Sequence, residues 1–393
     1  MDIPRSAEVV VIGGGINGTS TAFHLAQRGV KVTLLEKDFV AAGPSGRSSA
    51  IIRQHYSNEV TARMALDSLR VWQDFGAIVG GDAGFTQTGF LACVQQEHLE
   101  GLKSNIALQQ RVGINTRLVW ADELKELEPA ISTAGIVAAA YEPEAGYADP
   151  ASAAMGFAAA ARRLGATVLP GTKVLSIRTG GGRVTGVDTS QGKVAAGSVV
   201  IVAGPWSPLL TRTAGIDVPI VTSRHQVCLY RWPEGFPRHR VNLDFIGGIY
   251  LRPETGRQML VGSVHPEEAV DRVDDPDQFN QSADYGTITS FAEKVTQRYP
   301  DMQCGTSAGG YASLYDITPD WHPIMDELPA AAGLYICAGG SGHCFKLAPA
   351  IGAMMARLVV DGKKPGDAVN LFCLDRFARG QPIKGAYEYS IVG

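Results

Sequence analysis

The hydrophobic pattern opens on an unbroken apolar, β-branched run, Val9-Val10-Val11-Ile12, directly after Glu8. A run without alternation predicts a strand over 8–12 that is buried on both faces. Helical periodicity follows over 16–28, where Gly18, Ala22 and Ala26 form a stripe of small residues that lets a helix lie close to a sheet. Lys31 to Leu35 reads as a second strand, which completes a βαβ opening. Beyond it the pattern predicts a long helix over 57–79, mixed strand and helix to about 148, and an alanine-rich helix from Asp149 to Arg163. Strands are predicted over 172–178, 184–189 and 197–202, with Gly180-Gly181-Gly182 as the hairpin turn between the first two. Strand-like runs and turns alternate through 218–265, and 284–299 reads as helix. The last third returns to a buried strand from Gly333 to Ala338, a glycine turn and a helix over 344–361.

This order implies an α/β fold: a Rossmann-like dinucleotide lobe with an inserted α+β lobe built on a mixed sheet. The expected segments are 1–83, 149–217 and 330–393 for the first lobe, and 84–148 and 218–329 for the second. Composition narrows the picture mainly by exclusion. A net charge of -4 leaves no basic footprint for nucleic acid. The six cysteines include no CxxC pair, and the eight histidines show no metal-ligand spacing. No apolar run approaches the ~20 residues of a membrane span. No signal-peptide core precedes the first strand, so a cytoplasmic protein is expected.

The chemistry starts at Gly13-x-Gly15-x-x-Gly18, between the first strand and the first helix. Gly13 permits the tight turn, Gly15 lets the backbone approach a pyrophosphate, and Gly18 permits close helix–strand packing. The helix start, Ile16 and Asn17, offers N–H groups and a positive dipole end to the phosphates. Glu36 closes the second strand, where a carboxylate accepts hydrogen bonds from an adenosine ribose. Two distant elements separate FAD from NAD. One is the buried strand that runs into Ala203-Gly204-Pro205-Trp206. The other is the strand, turn and helix start around Gly339-Gly340-Ser341-Gly342-His343-Cys344-Phe345-Lys346. The first resembles the second cofactor motif of flavoproteins with two dinucleotide-binding domains; the second is an element so distant that a plain NAD domain does not need it, whereas an extended FAD does.

With Ser49-Ala50-Ile51-Ile52-Arg53-Gln54-His55-Tyr56 and Thr318-Pro319-Asp320-Trp321-His322-Pro323, these motifs make the chain resemble the D-amino-acid oxidase superfamily of FAD enzymes. Within it the similarity is to the branch of sarcosine oxidase, its β-subunit, glycine oxidase and proline dehydrogenase β-subunit. The resemblance implies that Arg53 and Lys346 hold a substrate carboxylate, the first as a planar fork and the second as a point charge. Outside the motif, each would read as an ordinary surface or structural cation. It places Tyr56, Tyr250 and Tyr315 as aromatic pocket walls, with core packing as the equal alternative, and His343 near flavin or substrate. Lys37, Arg47, Ser48, Ser49 and Val174 join the cofactor set. The Gly339–Gly342 turn is expected to face backbone N–H groups toward the flavin edge that becomes anionic on reduction.

Three departures matter. Relatives that tether FAD use a cysteine where Ser313 stands, or a histidine in a segment matching Gly43–Ala50, which has none, so noncovalent FAD is expected. The oxygen-activating lysine of sarcosine oxidase matches Leu260, which puts oxygen in doubt as acceptor; His265 or Lys346 could substitute as the cation. Cys344 replaces a glycine and reads as a packing residue, with a lowered thiol pKa at a helix start as the alternative. The expected activity is oxidation of the C–N bond of a small amino acid, secondary or N-methylated, with O2 or another electron acceptor. A D-amino-acid or opine dehydrogenase, or an FAD-carrying subunit of a hetero-oligomer, are the rivals. A homo-oligomer is also compatible. The acidic run Glu267 to Asp277 and the Arg238-His239-Arg240 cluster read as solvated surface.

Overall fold

The computed structural model describes residues 3–264 and 271–385. Five parallel strands form the centre of the first sheet, in the order Thr167–Leu169, Val32–Leu35, Ser6–Ile12, Gly192–Ile201, Leu334–Ala338. The β-branched run explains the central position of Ser6–Ile12. Val9 and Val11 face one apolar core while Val10 and Ile12 face another, so both sides of the strand are dry. Two antiparallel strands, Val174–Gly180 and Arg183–Thr189, extend this sheet from the early half of Gly192–Ile201. Gly181 and Gly182, both at positive φ, make the expected hairpin turn between them. Ile324–Glu327, just before the boundary expected at 330, pairs antiparallel with Leu334–Ala338 in the same sheet.

The helix Ile16–Gln27 approaches the sheet closely at Gly18, the first residue of its small-residue stripe, and meets the last helix closely at Ser20. A Cβ on Gly18 would meet the Gly13 carbonyl oxygen at 2.0 Å, and one on Gly352 would meet Ser20 Oγ at 2.2 Å. Two helix boundaries differ from expectation. The predicted helix over 57–79 breaks at Asp74 into Glu59–Gln73 and Phe75–Ile78. The last helix begins at Ala348, because Pro349 suits its first turn and residues 341–347 are still turn.

The second sheet is mixed and nine-stranded. Its longest pairing is antiparallel, between Val221–Arg231 and Thr306–Ile317. A small three-stranded sheet pairs Ile51–Ile52 and Thr86–Gln87 with Gly146–Tyr147, and it fixes the chain immediately before Arg53. Among the described residues no helix is long and apolar enough to cross a membrane. None of their His, Cys, Asp and Glu side chains cluster as a metal site.

Candidate active site

A continuous groove runs along the ends of the first sheet and under the second. Its outer chamber, about 290 Å³, is lined by Gly13, Gly15, Glu36, Lys37, Val174, Ala203, Gly204 and Trp206. A second chamber of about 290 Å³ shares Asn17, Pro44, Ser45, Asp316, Gly340 and Cys344 with the first, and adds Ile16, Arg47, Ser48, Ser49, Gly342 and Phe345. A small inner cavity of about 40 Å³ continues from it, lined by Arg53, Lys346, Tyr250, Tyr315 and His343. Gly18, Gly339, Ser341 and Tyr56 stand behind these walls and line none of the three spaces.

The outer end is built for close approach. Gly13 has φ 113°, and a Cβ there would meet the Val202 carbonyl oxygen at 2.3 Å, so the turn and the strand end before Ala203 touch backbone to backbone. The helix Ile16–Gln27 starts on Gly15 without a side-chain cap. Ile16 N–H donates to Ser45 Oγ at 3.0 Å, while the buried Asn17 Oδ1 has no partner. Glu36 accepts from the N–H groups of Gly14 (2.6 Å) and Asp38 (2.9 Å), which orients its carboxylate along the outer chamber. A helix N-terminus, an orphaned amide oxygen and a bare glycine turn opposite a carboxylate suit an extended dinucleotide. The two large chambers in line accommodate FAD.

In the Gly339–Gly342 turn, three backbone donors expected to face the flavin are taken by the protein. The N–H groups of Gly339 and Gly340 point to the Asp316 carboxylate, and that of Ser341 to the Asp316 carbonyl. These three donors are therefore engaged by a residue of the protein that itself lines the groove. Asp316 lines both large chambers, and burial raises its carboxyl pKa against the pull of these N–H groups. Cys344 is not at a helix start, and burial pushes its thiol up to about 12, which removes the reactive-thiol alternative.

In the inner cavity two cations are forced together. Arg53 and Lys346 are about 5% and 6% exposed, and both sit over the ring of Tyr56, at 4.7 Å and 5.9 Å from its centroid. Arg53 Nη1 donates to the His55 carbonyl, and Lys346 Nζ to the His343 carbonyl at 2.9 Å. Burial, and then the charge of Arg53, hold the Lys346 ammonium well below the usual lysine range. Behind them Glu142 is fully buried and accepts from Gln54 N–H at 2.7 Å. Burial raises its carboxyl to about 7, with Arg53 and Lys346 pulling the other way. An anion entering the cavity relieves the repulsion between the two cations.

The aromatic walls are set by glycines. Tyr250 lies against Gly262 of the next strand, where a Cβ would meet its ring at 2.3 Å, and Tyr315 lies against Gly342, where a Cβ would meet it at 2.2 Å. The two phenols are hydrogen-bonded to each other, and Tyr250 also to Ser49. Tyr56 is fully buried and supports the cations from below. The ring nitrogens of His343 are both engaged, with Tyr56 and with the Trp321 carbonyl. Asp320, in a buried bidentate pair with Arg376, fixes the turn that carries Trp321.

Several residues at the site escaped the sequence reading. His225 stacks on Tyr315 at 3.8 Å, and its buried Nε2 has no partner. It lies directly across the ladder from Ser313 in the second chamber. Asp277, read as part of a solvated run, lines the outer chamber; Glu267, Glu268 and His265 lie outside the described residues. His239, read as surface, is 1% exposed. The backbone signal for Asp277 was absent, but its partners Lys37 and Trp206 were already in the cofactor set. Leu260 is a core residue, 2% exposed.

The model of the family described as FAD dependent oxidoreductase (DAO) matches residues 8–358. The chain is 27% identical over 387 residues to sarcosine oxidase subunit beta of Rhodobacter capsulatus, covering 96% of this chain and 90% of that protein. It is 30% identical over 376 residues to human peroxisomal sarcosine oxidase, covering 89% and 91%. The structure of L-proline dehydrogenase from P. horikoshii superposes with a TM-score of 0.89 at 30% identity, covering 97% and 100%. The chain belongs to the DAO family and is an FAD-dependent oxidoreductase.

Proposed function

We propose that this enzyme oxidises the C–N bond of a small amino acid whose nitrogen is secondary or N-methylated. The observation that carries the reading is the burial of Arg53 and Lys346 together at the closed end of a dinucleotide groove. FAD, when bound in the two large chambers, supplies the acceptor for the hydrogen and electrons that leave the substrate carbon. The guanidinium of Arg53 grips the substrate carboxylate and Lys346 adds a second charge, which fixes the carbon to be oxidised relative to the groove. The small cavity and the Tyr250–Tyr315 pair limit side-chain size and favour a compact, partly apolar amine substituent. Water hydrolyses the imine product after release, so no side-chain nucleophile is needed.

Similarity to sarcosine oxidase subunit beta supports a second reading, that the chain works as the FAD-carrying subunit of a hetero-oligomer. The carboxylate clamp is tested by Arg53→Met and Lys346→Met. Each removes a charge-assisted contact of about 1.5–3 kcal/mol, so KM for the amino acid rises about 10- to 150-fold. An unchanged KM in both variants refutes the clamp.

A further inference from the structure

Residues 273–282, between the strand Asp271–Arg272 and the helix Tyr285–Arg298, bring Asp277 to the outer chamber and are held at both ends, the first by the Val273 N–H on the Thr222 carbonyl. At the far end, buried Arg224 donates to the carbonyls of Asn280 (2.7 Å) and Ser282 (2.6 Å) and pairs with Asp284. Beside that contact, Arg47 Nη2, from the wall of the second chamber, donates to Gln281 Oε1 at 2.5 Å. In the middle the segment rests on one carboxylate. Asp277 accepts from Trp206 Nε1 at 2.9 Å, pairs with the Lys37 ammonium and lies 3.4 Å from Lys173 Nζ. The Lys37 ammonium also sits 4.0 Å over the Trp206 ring, so Lys37, Trp206 and Asp277 close as a triangle. Lys37, Lys173 and Trp206 come from three separate turns of the first sheet, and all line the chamber that Glu36 identifies as the adenosine end.

A surface ion pair alone would carry little meaning. Here one acceptor joins three donors drawn from three turns, and it does so over the opening of a cofactor site. The carboxylate is held ionised by Lys37, Trp206 and Lys173 against the cost of its partial burial. We propose that Asp277 is a cofactor-retaining residue, which latches the 273–282 segment over the adenosine end of bound FAD so that breaking its contacts governs FAD release. The proposal rests on FAD being held without a covalent bond. It gives that noncovalent site a retaining device in place of a tether at Ser313.

The test is the rate of FAD release from the holoenzyme after dilution, followed by free-flavin fluorescence. Asp277→Ala is expected to release FAD about tenfold faster, the loss of one or two charge-assisted contacts. Asp277→Glu is expected to recover most of the slow release, and adding Lys37→Met to Asp277→Ala to accelerate it no further. In the unaltered enzyme about 0.5 M KCl should speed release, because the latch is ionic and partly exposed; in Asp277→Ala salt should have little effect. Equal release rates for Asp277→Ala and the unaltered enzyme, with no salt dependence in the latter, overturn the latch. So does a flavin that leaves neither protein. The salt experiment needs no substitution and stands even if a variant folds poorly.

Discussion

The hydroxyl of Tyr56 donates to Nδ1 of His343 at 3.2 Å, 287 residues away in the chain. The direction follows from the other ring nitrogen: Nε2 faces the Trp321 carbonyl at 2.6 Å and must carry the proton, which leaves Nδ1 as the acceptor. The phenol thus donates to a histidine whose tautomer the Trp321 carbonyl fixes and which burial and the nearby Lys346 charge keep neutral. It does so while its ring lies beneath both cations of the inner cavity.

Tyr56→Phe separates these two roles. The ring stays under Arg53 and Lys346, but the buried Nδ1 loses its donor. Stability is expected to fall by about 1–3 kcal/mol in urea unfolding, with KM changed less than about threefold. A large rise in KM without a loss of stability would mean that the hydroxyl reaches the substrate.

Stability should fall in mild acid. Burial pushes His55 and His225 down to about 3 and His239 to about 4, so the folded chain refuses protons that the unfolded chain accepts below 6.5. That stabilisation is lost as pH drops from 6.5 toward 3. Glu142, raised to about 7 by burial, works in the opposite direction: its folded-state advantage is complete below 4.5 and gone above 7. The lowered histidines, with His24, His322 and His343 added, outnumber the raised carboxyls Glu128, Glu142 and Asp316, and the urea midpoint at pH 5 is expected to lie below that at pH 7. A higher midpoint at pH 5 contradicts the neutral histidines.

Ser313 lines the second chamber, and its hydroxyl cannot form the thioether that a cysteine forms. Acid precipitation should therefore leave a colourless pellet and FAD in the supernatant. Yellow protein in the pellet would show a tether at another residue, with His225, across the ladder from Ser313, as the first to examine by peptide mapping.

Leu260 offers no charge to stabilise reduced oxygen. Stopped-flow reoxidation of the reduced enzyme is expected to be slower with air than with an artificial dye acceptor. Faster reoxidation by air would assign oxygen activation to another cation, with Lys346 the described candidate.

The parts legible in the sequence are those whose determinants are local. Val9–Ile12 announces a strand dry on both faces, and Gly13, Gly15 and Gly18 mark the strand–helix turn by their spacing, although only Gly18 answers a contact within it. Thr306–Ile317 was not legible. Its run Thr-Ser-Ala-Gly-Gly has little β propensity, and it becomes a strand by pairing with Val221–Arg231, some eighty residues earlier. That ladder delivers His225, Ser313, Tyr315 and Asp316, so the groove's second wall stayed hidden except where a family motif marked it. The helix expected from 344 starts at Ala348 because residues 341–347 follow the turn that Asp316 anchors, a contact between segments far apart in sequence. Arg53 and Lys346 could be named from motifs, but not their shared burial over Tyr56 or the presence of Glu142 behind them.

Anaerobic bleaching of the flavin by paired compounds tests the central claim most directly. N-methylglycine and proline carry the carboxylate that Arg53 and Lys346 are positioned to hold, and dimethylamine and pyrrolidine lack it. Bleaching by at least one of the amino acids, and by neither amine at the same concentration, is the predicted result. Equal bleaching by an amino acid and its matching amine would contradict the carboxylate clamp and the amino-acid substrate with it.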